Sequence, residues 1–191
     1  MSQGLKILLG AVAAIVIIGV IVVVWGIGGY NRAVAMDEQV KAQWAQVDNQ
    51  LKRRYDLIPN LVETVKGYAK HEKDLFENIA EMRTRYFQAN TVKGKIEASN
   101  QLEGALSRLL FLKETYPVLK ANESFLKLQD SLEGTENRIS VERKRYNDAV
   151  QELNTYRRTV FGRIFTSFAG VNEAEYYKLP EAEKATPKVK F

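Results

Sequence analysis

No residue between Ile7 and Gly29 carries a charge, and that run constrains the chain more than any other part of it. Its core, ILLGAVAAIVIIGVIVVVWGI, is dominated by Ile, Val, Leu and Ala. Wound as a helix it is about 32 Å long, which matches a bilayer hydrocarbon core of about 30 Å. Trp25 and Tyr30 stand where an interfacial aromatic belt would sit. A cleaved signal peptide would have an apolar stretch of about 7 to 15 residues and a small-x-small cleavage site. Here the run is longer and ends in Trp-Gly-Ile-Gly-Gly. The expectation is an uncleaved single-pass anchor at 7–29, behind a short flank at 1–6, in the cell (inner) membrane. Few charges set its orientation: the N-terminus and Lys6 oppose Arg32 and Lys41, and the short positive start favours a domain on the exported, periplasmic or extracellular, side.

Beyond the run, apolar residues recur at alternating spacings of three and four, the signature of helix, with no strand-like alternation to compete. Ala33, Val40, Trp44, Val47 and Leu51 form a first stripe that continues the anchor. Asp56 is placed to cap a second helix, with Pro59 in its first turn where a missing N–H costs nothing. That helix carries Leu57, Leu61, Val65, Tyr68, Glu72, Leu75, Ile79, Met82 and Tyr86 on one stripe. Asn90 to Gly94 reads as a turn. A third helix follows, with Ala98, Leu102, Ala105, Leu109 and Leu112, broadened by Leu106 and Leu110; Pro117 ends it and opens the fourth. The fourth keeps its 3-4 alternation from Ala121 to Val160, which implies coiled-coil-like packing. The expected fold is all-α: an N-terminal transmembrane helix followed by an elongated antiparallel four-helix bundle over 30–170. Its helices fall at about 30–55, 57–90, 95–115 and 117–160, with a short one at 161–169 and a polar, loosely held tail at 171–191.

Lengths raise a packing problem. The fourth helix, at about 65 Å, outruns the second by about 15 Å, so its apolar end must be covered by the membrane-proximal helix, the C-terminal segment or a second subunit. Gly134 inside it costs about 1 kcal/mol against Ala, which a close helix crossing or a kink would explain. The aromatic segment with Phe161, Ile164, Phe165 and Phe168 either caps the bundle or lies at a membrane surface with Arg157, Arg158 and Arg163 toward lipid headgroups.

Composition narrows function by exclusion. With 27% charged and 46% hydrophobic residues the chain is ordinarily globular, and its net charge of +5 is spread among acidic neighbours rather than concentrated in a stripe that would bind nucleic acid. The absence of cysteine removes disulfides, thiolate metal sites and cysteine nucleophiles. A di-metal bundle needs Glu-x-x-His pairs, and the single histidine, His71, has Tyr68 three residues before it. No enzyme activity, cofactor, metal or small-molecule substrate is expected. What stands out is polar residues on apolar seams, Glu72, Thr135 and Glu142, which need partners if buried. The candidate structural or interaction network is Arg53, Arg54, Asp56, Glu72, Asn122, Glu136, Asn137, Arg138, Glu142 and Arg145. It either fixes helix register, as buried polar positions do in coiled coils, or forms a partner-binding or sensing surface.

Three strings, QLKRRYDLIPNLVETVKGYAKHE (Gln50–Glu72), YPVLKANESFLKLQDSLEGTENRIS (Tyr116–Ser140) and RKRYNDAV (Arg143–Val150), closely resemble the LemA family of bacterial membrane proteins. The resemblance extends from about Tyr30 to the closing Pro187-Lys-Val-Lys-Phe191. It implies an N-terminal transmembrane helix, a helical bundle and no established biochemical function or catalytic residues. Two departures matter. Gly29 stands where some relatives carry a lipoprotein cysteine, and Phe161-Gly162 replaces a frequent Phe-Pro. The functional expectation is a membrane scaffold that self-assembles as a homo-oligomer or binds another membrane protein. The alternative is an exported helical bundle that senses a small ligand.

Overall fold

The computed structural model describes residues 3–179, without the side chains of Leu5 and Lys6. The closing Pro187–Phe191 motif lies outside the described residues. The described chain is helical, with no strand: α1 (Gln3–Lys66), α2 (Lys73–Gln88), α3 (Val92–Thr115), a 3-10 turn at Pro117–Ala121, α4 (Glu123–Arg158) and α5 (Val160–Phe168). This is an all-α helical bundle. Two compact units divide it, where one bundle over 30–170 was expected. Of the described residues, the first is built from 3–41 with Ala149–Ala174, the second from Ala42–Asp148 with 175–179.

The corner expected at Asp56 and Pro59 does not exist. Pro59 lies inside α1, so the helices expected at 30–55 and 57–90 are corrected: one helix runs to Lys66 and α2 is separate. An interior proline removes the hydrogen bond to the carbonyl four residues back. That carbonyl belongs to Tyr55, and Arg83 of α2 donates its Nε–H to it at 3.4 Å. A long-range donor thus replaces the local one. The chain turns instead at Gly67–Glu72, where the Val65 carbonyl accepts from the N–H groups of Tyr68 and Ala69, each at 2.9 Å.

Thr91 caps α3 by accepting from Gly94 N at 3.1 Å. At the other end Pro117 drives Tyr116 out of helical geometry, to φ −118° and ψ 86°. Pro117 then opens the 3-10 turn rather than the fourth helix, and the cap of α4 is Asn122, whose Oδ1 accepts from Phe125 N at 2.9 Å. The core of the second unit is Tyr55, Ile58 and Leu61 of α1, Ile79 and Tyr86 of α2, Leu106 and Leu109 of α3, and Phe125 and Ile139 of α4. Each such side chain contributes about 1.5–3 kcal/mol by leaving water.

In the first unit Ala33, Val40, Ala149, Val150 and Leu153 are buried. The distal apolar face of α4 therefore has its cover within its own chain, and needs no second subunit for that purpose. Thr159 caps α5, accepting from Gly162 N at 3.0 Å. α5 ends with Gly170 in the left-handed region, φ 66°, and with Val171 N bonded to Thr166 O at 2.9 Å and Gly170 N to Ser167 O at 3.2 Å. That pair of bonds is a Schellman closure, which satisfies the last carbonyls and turns the chain back. Residues 171–179 are not loose, as the tail was expected to be: Val171 and Tyr177 are buried.

The helix from Ile7 is long and apolar enough to cross a membrane. Its apolar side chains lack protein cover; Ile15 is 69% and Val24 64% exposed.

Candidate functional site

In the second unit, Arg54 is buried because α1 places it beside the core residues Leu51, Tyr55 and Ile58. A buried guanidinium needs carboxylates. Glu103 of α3 supplies two contacts, to Nη1 at 2.5 Å and Nη2 at 3.1 Å, and Glu136 of α4 accepts from Nη1 at 2.6 Å. Burial opposes the charge on Arg54, but the Glu103 hydrogen bond and both carboxylates overcome it and hold the guanidinium above its ordinary range. One side chain thus ties three helices together. The space beside it, bordered by Arg54, Glu103, Glu136 and Tyr177, is only about 10 Å³, about enough for a single water.

Tyr177 closes that space. Its hydroxyl meets Ser99 Oγ at 2.7 Å, its N–H donates to Asn147 Oδ1 at 2.8 Å, and its carbonyl accepts from Asn147 Nδ2 at 3.0 Å. Asn100 Nδ2 donates to Lys178 O at 2.9 Å and Tyr146 OH to Glu175 O at 2.7 Å. Arg143 lies over the Tyr177 ring at 5.6 Å. An extended segment that would otherwise leave its backbone unpaired is bonded to helix side chains along its length.

A second polar cluster surrounds Asp48 of α1. It accepts from Tyr86 OH at 2.6 Å and from Lys95 Nζ at 2.7 Å, and pairs with Lys52 at 2.8 Å. Burial pushes this carboxyl up, yet the hydrogen bonds from Lys52, Lys95 and Tyr86 outweigh burial and hold it below the usual range. The Tyr86 ring stacks on Tyr55 at 4.2 Å, and burial holds both phenols well above their ordinary pKa.

Only part of the ten-residue network comes together. Arg54 and Glu136 meet directly. Glu142 pairs with Arg145 at 2.9 Å one turn away on α4, and Asn122 joins the cap of α4 to Tyr68 OH at 3.1 Å. Glu72 begins α2 and accepts from Tyr116 OH at 3.4 Å, so it faces a turn instead of an arginine. Arg53, Asp56, Asn137 and Arg138 are exposed; Arg53 and Arg138 border a cavity of about 190 Å³ with Gly134 and Thr135. Thr135 donates to Leu132 O at 2.8 Å within its own helix. The partners that sequence reasoning missed are Glu103, Asp48, Ser99, Asn147 and Tyr177. Asp48 carried a readable signal, four residues before Lys52; Glu103 depends on the packing of α3 against α1, and Ser99, Asn147 and Tyr177 on a C-terminal segment folding back. Among the described residues no group of three or more His, Asp or Glu is placed to hold a metal ion.

The first unit contains a different arrangement: an open cavity of about 520 Å³ lined by Asn154, Arg157, Arg158, Arg163, Ser167 and Glu173 among others. Asn154 fixes its wall, donating Nδ2–H to Ala174 O at 2.8 Å and accepting from Ala174 N at 3.1 Å.

A buried ionic tie inside a closed helical bundle, carried on the same helix as an uncovered apolar span, defines a membrane-associated helical protein. The chain belongs to the LemA family, whose model matches residues 43–191. It is similar to Magnetosome protein MamQ 1 and Magnetosome protein MamQ 2 of Paramagnetospirillum magneticum, each 26% identical over 199 residues that cover 88% of this chain and 73% of the relative. Magnetosome protein MamQ of Magnetospirillum gryphiswaldense is 22% identical over 151 residues, covering 65% of this chain and 56% of its own length.

Proposed function

We propose that the protein is a membrane-anchored scaffold that acts by surface contact and self-assembles, with its packed second unit on the exported side of the cell membrane. The observation that carries this is the contrast between interior and surface in the second unit. Inside, Arg54 is occupied by two carboxylates and the adjoining space is about 10 Å³, which leaves no room for a small ligand there. Outside, Tyr68, Val118 and Leu126 are 45%, 60% and 41% exposed. They belong to one end of the unit: Asn122 donates to Tyr68 OH, Val118 is in the turn that precedes it, and Leu126 N bonds to Asn122 O. Apolar side chains gathered in this way are what an assembly contact uses.

Native mass measurement on the detergent-extracted chain tests the proposal. The expected species is a multiple of the chain mass that Val118→Asp with Leu126→Asp reduces to one. A strict monomer with no copurifying protein overturns it. Protease protection of terminal tags in spheroplasts tests the sidedness: a C-terminal tag cleaved from outside is expected, and a protected one reverses the orientation.

A further inference from the structure

We propose that α5 is an interfacial helix and that the arginine cavity behind it, both in the first unit, is a seat for the phosphate of an anionic lipid headgroup. Two independent observations meet there. The first is apolar. Val160, Phe161, Ile164 and Phe168 are 77%, 56%, 47% and 80% exposed, and their spacing puts them on one face of α5. The residues around this nine-residue helix give that face a context. Trp25, at the end of the apolar span, meets Phe161 edge-on at 4.8 Å and Phe165 at 5.1 Å. The Phe165 ring lies directly against Gly29, where a Cβ would overlap it. Tyr156 OH donates to Gly29 O at 3.2 Å, and Arg32 lies over the Tyr156 ring at 5.0 Å. The exposed face of α5 is therefore continuous with the end of the span, at the level where Trp and Arg side chains mark the boundary between hydrocarbon and headgroups.

The second observation is electrostatic. Three guanidiniums, those of Arg157, Arg158 and Arg163, border one cavity with a single carboxylate, Glu173. Glu173 stands 3.8 Å from Arg157 Nη1, a distant pair that leaves the Arg157 Nε–H buried and unbonded. Among the described residues neither Arg158 nor Arg163 has a carboxylate partner. Such an excess of planar donors suits a phosphate, which guanidinium binds bidentately. The volume of about 520 Å³ accepts a glycerophosphate headgroup, and the wall is pre-built by the Schellman turn at Gly170 and the Asn154 clamp on Ala174. The headgroup reaches this seat from the same surface into which Phe161, Ile164 and Phe168 insert. Soluble phosphate would need no such face, so the assigned source is lipid.

The test uses the full chain in detergent micelles supplied with equal amounts of phosphatidylglycerol and phosphatidylcholine, read by native mass spectrometry. Phosphatidylglycerol is expected to be retained preferentially, with about fivefold of that preference lost for each arginine replaced in Arg157→Gln, Arg158→Gln and Arg163→Gln. Circular dichroism of each variant establishes that it is folded. If Arg157→Gln unfolds the unit, Arg158→Gln carries the test alone, because Arg158 is exposed. In nanodiscs containing phosphatidylglycerol, a Phe168→Trp chain that also carries Trp25→Phe and Trp44→Phe should be quenched by lipid-borne quenchers of indole emission, and unquenched emission overturns the interfacial placement of α5. Equal retention of the two lipids by the wild-type chain, or a preference untouched by the arginine variants, overturns the proposal. Displacement of phosphatidylglycerol by millimolar inorganic phosphate overturns the lipid assignment in favour of a free anion.

Discussion

Asn147 holds the backbone of Tyr177 from both sides, accepting its N–H at 2.8 Å and donating to its carbonyl at 3.0 Å. A carboxamide can do both because it carries an acceptor and a donor on one rigid plane; a carboxylate can do only the first. Asn147→Asp should therefore keep the bond from Tyr177 N and leave the Tyr177 carbonyl facing a lone pair. The expected loss is about 1–3 kcal/mol, the cost of an unsatisfied buried polar group. Urea unfolding of the detergent-solubilised chain measures it, and protease cleavage after Tyr177 should accelerate in parallel. An unchanged midpoint would mean that the bonds from Ser99, Asn100 and Tyr146 hold the segment without the Asn147 clamp.

Arg54 gives a sharper electrostatic test. Arg54→Met removes the guanidinium shared by Glu103 and Glu136 and should cost about 3 kcal/mol. That value is at the low end for a broken buried pair because Glu136 is 38% exposed and can recover water. Adding Glu103→Leu should restore at least half of the loss, since the stranded carboxylate is then gone. If the double variant is no better than the single one, the guanidinium stem's packing matters more than its charge.

The contrast between Arg54 and Glu72 shows how far the chain could be read in advance. Periodicity identified the all-α class, the apolar span and most of the buried positions, because those depend on local spacing; of the turn expected at Asn90–Gly94 only the part before Val92 is non-helical. Arg54 entered only as an available partner for the polar seam residues Glu72, Thr135 and Glu142. Local reading misplaced the corner because Pro59 is a local stop signal overridden by a distant donor, Arg83, whose approach to the Tyr55 carbonyl has no trace in the local pattern. With the corner moved to Gly67, Glu72 left the seam and became the start of α2. Tyr177 was unreadable for a related reason: one of two adjacent tyrosines in a polar stretch looks the same whether it is solvated or held by Asn147 of α4 and Ser99 of α3.

Tyrosines make the fold sensitive to alkali. Burial, followed by the nearby Glu175 carboxylate, pushes the Tyr146 phenol from 10.0 up to about 12. Tyr55, Tyr86 and Tyr177 are also raised, burial being the largest cause in each. A raised folded-state value means that the unfolded chain loses its proton first, so this stability is complete below about pH 10 and declines as pH rises toward 12. Urea midpoints should fall over that window while tyrosinate absorbance lags behind that of the free amino acid. Tyr146→Phe should be less stable at neutral pH, leaving Glu175 O without its donor, and should lose less on going to alkali.

Gly134 and Leu132 on α4 should respond in opposite directions although two residues apart. Leu132 is 2% exposed, and Leu132→Ala should cost about 2–4 kcal/mol through lost burial and the cavity left behind. Gly134 has neither of the explanations that its position in a long helix suggested. A Cβ built there meets nothing within 4 Å, so no helix crosses closely, and α4 is a single helix through this position. Gly134→Ala should then stabilise the isolated chain by about 0.5–1 kcal/mol, by removing backbone freedom from the unfolded state. Thermal unfolding in detergent resolves both signs. If Gly134→Ala stabilises the dilute monomer yet lowers the mass of the assembled species, a second chain approaches α4 at the small cavity beside Arg53 and Arg138. If it leaves assembly intact, the contact lies elsewhere, as the exposed Tyr68, Val118 and Leu126 suggest.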